Sequence, residues 1–149
     1  MKKIITLSIG LVAFWGCEGS STGSGNGGND VTELEGTWVG TELGGGQANW
    51  TFVIVDDTVD VTTSIPEEWY IGTISANSQT DPKQADFTIT DCPLVDYIGL
   101  KSLGIYKIEG NTWTLASNEP GLTVRPTNFI PGDQNNDGHF TRVIISEKQ

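Results

Sequence analysis

Trp50-Thr51-Phe52-Val53-Ile54-Val55 puts Trp50, Phe52 and Ile54 on one face and Thr51, Val53 and Val55 on the other. That is the two-residue period of a β-strand buried on at least one side. Similar short runs, rich in β-branched and aromatic residues and separated by turn residues, recur to the end of the chain, and helical periodicity is absent from them. About eight strands are predicted, at 36–43, 50–56, 58–64, 69–75, 86–90, 102–109, 112–117 and 139–146. Ile105-Tyr106-Lys107-Ile108 and Thr112-Trp113-Thr114-Leu115 flank Glu109-Gly110-Asn111, whose glycine suits the positive φ of a tight hairpin. Consecutive antiparallel strands joined this way make an up-and-down meander. Closing about eight of them into a barrel removes the unpaired edges and leaves an interior that side chains fill or one small ligand occupies.

The N-terminus has a different character. Lys2 and Lys3 precede an apolar segment of twelve residues, Ile4 to Trp15, whereas a membrane-spanning helix needs about 20. Positive start and short apolar run are the layout of a secretory signal peptide, so residues 1–16 are expected to be removed. The junction Gly16-Cys17 resembles the bacterial lipobox, although Phe14 and Trp15 stand where Leu and a small residue are usual. The resemblance implies a diacylglycerol on the Cys17 thiol, with the modified cysteine as the new N-terminus. The alternative is an ordinary signal peptide with an incidental cysteine. Residues 17–30 are then the lipidated N-terminus and a Gly/Ser/Asn linker too polar to order itself, with a reach of about 20 Å. Residues 31–149 are long enough for one domain and short for two. With Cys17 acylated, only Cys92 remains, a small core or loop residue with no partner for a disulfide.

Leu34-Glu35-Gly36-Thr37-Trp38 is similar to the G-x-W signature that opens the first strand of lipocalins. Taken in order, LEGTW, DPKQADFTI, LGIYKIEGNTWTL and RPTNF resemble a family of small lipocalin-like domains of planctomycetes and related bacteria, to which no activity is assigned. The resemblance covers nearly all of 33–148 and departs from it at 91–100, an added loop, and at the turn GDQNNDGH. It implies a lipocalin-like barrel whose floor is closed by the first-strand tryptophan, here Trp38, under a covering arginine. Arg142, on the last predicted strand, is the candidate for that cover, and Arg125 of RPTNF is the second choice. A cation over an aromatic face contributes about 0.5 to 2 kcal/mol, so both roles are structural.

Trp50, Trp69, Trp113, Phe52, Phe87 and Tyr106 have two readings: filling of the core, or lining of a cavity for an apolar guest. Catalytic chemistry is poorly supplied. His139 is the only histidine, no H-E-x-x-H motif occurs, and Asp56-Asp57 and Glu67-Glu68 sit where solvated turn residues are expected. The chain is therefore not expected to be an enzyme. Asp133, Asn135 and Asp137 with Gly138 reproduce positions 1, 3, 5 and 6 of an EF-hand-type calcium loop, but position 12 is Ile144 and the bidentate glutamate is missing. The same residues also make an ordinary polar turn. A net charge of −11 disfavours nucleic acid as a partner, and the domain is expected to be a monomer. Two functions are compatible with these features: an envelope lipoprotein whose barrel holds a small apolar molecule, or a solid structural or interaction domain acting through its surface loops. An apolar cavity above about 300 Å³ would favour the first.

Overall fold

The alternation that marks 50–55 is carried into three dimensions: Trp50, Phe52 and Ile54 are buried, while Val53 and Val55 face solvent. The computed structural model describes residues 30–44, 48–132, 134–135 and 139–149. A 3-10 turn, Thr32–Leu34, leads into β1 (Gly36–Leu43), β2 (Asn49–Val55), β3 (Thr58–Thr63), β4 (Trp69–Asn77) and β5 (Lys83–Asp91). After a second 3-10 turn, Val95–Tyr97, come β6 (Lys101–Glu109), β7 (Thr112–Asn118), the two-residue β8 (Gln134–Asn135) and β9 (His139–Lys148). All eight predicted strands are present. The largest boundary difference is at β5, where Lys83-Gln84-Ala85 offers too little apolar alternation to be read as strand.

Each long strand pairs antiparallel with the next, β7 pairs with β9, and β9 returns to β1 with Trp38 opposite Lys148 and Leu43 opposite Val143. The meander is thus closed into a barrel, which removes the edges an open sheet would present. β8 pairs only with the start of β9, Gln134 opposite Phe140. Asp133, Asp137 and Gly138 of the calcium-loop reading lie outside the described residues.

Antiparallel register carries one inward row around the wall: Trp38 opposite Phe52, Phe52 opposite Val61, Val61 opposite Tyr70. Two inward positions hold glycine because another strand's backbone occupies the space. A Cβ on Gly40 would stand 2.0 Å from the Ile145 carbonyl oxygen, and one on Gly72 would stand 2.1 Å from that of Thr88. Gly72 adjoins the register shift between β4 and β5. These are the points where the sheet bends tightly enough to close.

The barrel has one sealed end. Val31 and Leu34 are buried there, the Trp38 indole Nε1 donates to the Leu34 carbonyl at 2.7 Å, and the Tyr106 hydroxyl donates to Glu33, which also pairs with Lys83 Nζ at 2.7 Å. Asp30 enters beside this end, its N–H bonded to the Ala76 carbonyl at 3.0 Å. Residues 119–132 cross the outside of the wall instead. They cover a second cluster in which Phe129 packs on Ile105, Ala116 and Val143. Arg125 fastens this crossing by pairing with Asp86 and donating to the Gly104 carbonyl, while Asn118 Nδ2 donates to the Val124 carbonyl at 2.9 Å. Arg125 is therefore a clamp on the outer face and has no part in the floor.

Candidate functional site

The side chains that alternation points inward from β2, β4, β5, β7 and β9 do not fill the upper half of the barrel. A cavity of about 350 Å³ remains. Phe52, Ile74, Trp113, Leu115 and Ile144 form its lower part, and Trp50, Tyr70, Phe87 and Ile89 its walls. Trp113 meets Phe52 edge to face at 5.0 Å and rests on Trp38 at 5.6 Å, so Trp38 is the layer beneath the floor. At the other end the cavity opens between Leu94, Tyr97, Glu119 and Phe140, of which Leu94, Glu119 and Phe140 are exposed. The loop at 91–100 and the start of β9 thus form the mouth.

Of the six aromatic residues singled out from the sequence, Trp50, Phe52, Phe87 and Trp113 line the cavity. Trp69 does not, because β4 pairs it with the exposed Thr62 on the outer face. Tyr106 is buried in the sealed end, where it holds Glu33. Tyr70, Ile74, Ile89 and Tyr97 line the cavity without having been singled out. The inward period of β4 marks Tyr70 and Ile74, whereas nothing in the sequence of the 91–100 loop marks Tyr97.

Arg142 does not cover Trp38. Its guanidinium lies over the Trp50 ring, with Cζ 4.8 Å from the ring centroid, and Lys148 Nζ stands 5.2 Å from the centroid of Trp38. Register explains the exchange. Lys148 is directly opposite Trp38, and Arg142 is six residues back along β9, about 20 Å at about 3.3 Å per residue. Arg142 instead sits in the upper wall with Nε 3.2 Å from Glu42 and Nη1 3.6 Å from Glu68.

Glu68 is a second correction. It follows the Pro66-Glu67 turn and reads as a solvated turn acid, yet its side chain is only 18% exposed and lines the cavity. It accepts from the Tyr70 hydroxyl at 3.2 Å and from Thr63 Oγ1 at 3.4 Å. Glu67 takes the positive φ, 62°, that turns the chain back toward the barrel. Asp56 and Asp57, by contrast, form the exposed turn between β2 and β3. Cys92 is buried in the loop after β5, its thiol donating to the Leu94 carbonyl at 3.0 Å.

Burial, reinforced by the Glu68 carboxylate, pushes the Tyr70 hydroxyl up to about 12. Burial and the bond to Glu33 push Tyr106 well above its ordinary value too. A raised tyrosine pKa means the folded state keeps a proton that the unfolded chain releases near pH 10. The stabilisation is fully present below about pH 10 and is lost as pH rises toward the folded value. The melting temperature is expected to fall between about pH 10 and 12, with a shallower fall in Tyr70→Phe. Identical alkaline slopes would show that the Tyr70 proton is not held by the fold.

No family model, curated protein or solved structure matches the chain.

Proposed function

We propose that this chain is a membrane-tethered envelope lipoprotein whose lipocalin-like barrel binds a small apolar molecule. The observation that carries the binding is the cavity of about 350 Å³ above an aromatic floor, within the range of about 300 to 1,000 Å³ that small-molecule sites occupy. A solid domain acting through its loops would have had this volume filled by larger side chains than Ala85 and Ser117.

The tether is supported by the Lys2-Lys3 start, the short apolar run and Gly16-Cys17. A lipidated Cys17 is in keeping with the geometry, because the described chain enters at the sealed end, opposite the mouth. Two acyl chains would make that attachment stable, at about 0.8 kcal/mol per buried methylene.

Native mass spectrometry of the full chain isolated from its own membranes tests both parts. The expected mass is that of a chain starting at a diacylated Cys17 plus a small molecule released on denaturation. A neutral fluorescent probe, N-phenyl-1-naphthylamine, is expected to brighten with the full chain and to lose that response in Ala85→Phe, which fills the cavity. An unmodified cysteine would remove the anchor. An unchanged probe response in the filled variant would remove the cavity as a binding site.

A further inference from the structure

We infer that the guest of this cavity is an apolar amine, bound in its protonated form with the ammonium at Glu68. The inference rests on the binding role proposed above and names the chemistry the cavity selects. Arg142 is the only cationic side chain among the described residues lining the cavity, and it is already committed. Its Nε faces Glu42, whose side chain is 6% exposed, its Nη1 reaches toward Glu68, and its flat face lies on Trp50. One guanidinium between two carboxylates leaves the upper wall with an excess of negative charge, and Glu119 at the mouth adds another carboxylate.

Of the two carboxylates beside Arg142, Glu68 is the one among the residues lining the cavity. Its contacts are the Tyr70 hydroxyl at 3.2 Å, Thr63 Oγ1 at 3.4 Å and Arg142 at 3.6 Å, all longer than the ~2.7 to 2.9 Å of a good charge-assisted bond. A partly buried carboxylate with only loose neighbours is stabilised by an incoming cation. Tyr70, in contact with Glu68, adds a ring face that attracts a cation, and the Phe87 ring elsewhere in the lining suits its apolar body. A carboxylate-bearing guest meets the opposite field. It would compete with Glu42 and Glu68 for a guanidinium that both already contact.

The test is a matched set of probes of one chain length, decylamine, decanol and decanoate, titrated into the full chain at pH 7 and followed by calorimetry. Decylamine is expected to bind at least about tenfold more tightly than decanoate, the ratio for one favourable charge contact exchanged for an unfavourable one. In Glu68→Gln the preference of decylamine over decanol is expected to disappear while decanol affinity is kept, which also reports that the variant is folded. Decanoate binding as tightly as decylamine to the unaltered chain would overturn the amine assignment and leave the cavity a binding site. A preference for decylamine that survives in Glu68→Gln would overturn the role of Glu68. No binding of any of the three would overturn the binding function itself.

Discussion

Trp38→Ala is expected to destabilise the domain by about 3 to 5 kcal/mol, the loss seen when a large aromatic is removed from a well-packed interior. Three contacts set that size. The ring is 1% exposed, it supports the cavity floor through Trp113 at 5.6 Å, and its Nε1 holds the Leu34 carbonyl of the sealing turn at 2.7 Å. The substitution therefore leaves a hole beneath the floor and an unpaired acceptor in the turn that plugs the barrel. Lys148→Ala is expected to cost less, about 0.5 to 1 kcal/mol for an exposed cation on an aromatic face. Its loss should couple to that of Trp38→Ala, since the two share one contact, whereas Arg142→Ala and Trp38→Ala should add within about 0.5 kcal/mol. Urea unfolding of the singles and doubles measures all of this. Coupling of Trp38 to Arg142 and not to Lys148 would contradict the β1–β9 register.

The Lys148 and Arg142 pair also shows where sequence reasoning reaches its limit. Both side chains lie on the inward parity of β9, so alternation alone cannot choose between them as the cover of Trp38. The choice is made by how far β9 slides along β1, a property of barrel closure that no local pattern records. Strand existence was legible because burial follows the two-residue period, as in Trp50, Phe52 and Ile54. Strand parity was harder. In β4 the outward set contains Trp69 and Ile71 while the inward set contains Gly72, so residue size points the wrong way. Glu68 was hidden for a related reason, since Pro66 and two adjacent acids have the composition of an exposed turn, and only the backbone reversal at Glu67 carries the carboxylate inward. The segment 119–132 has no period at all and is fixed by individual bonds from Asn118 and Arg125.

The inward glycine of β1 carries the second large effect. Gly40→Ala is expected to cost about 3 kcal/mol or more, the upper part of the range for overfilling a packed interior. The added Cβ would fall 2.0 Å from the Ile145 carbonyl oxygen and 2.5 Å from the Ser146 Cα, both of them backbone atoms of β9 that no rotamer change can move aside. Relief requires β1 and β9 to separate at the pair Gly40 and Ser146, which is the seam that closes the barrel. Gly110→Ala is the matching control. Gly110 sits at φ 64° in the β6–β7 turn with nothing within 4 Å of the added atom, so its loss is the backbone strain alone, about 1 to 2 kcal/mol. A chain opened at the seam also exposes two unpaired strand edges and is expected to associate through them. Gly40→Ala should therefore unfold at lower urea than Gly110→Ala and show dimers or larger species in analytical ultracentrifugation. Equal stability of the two variants, with both monomeric, would mean that the seam yields without cost and that β1 and β9 are not held in this register.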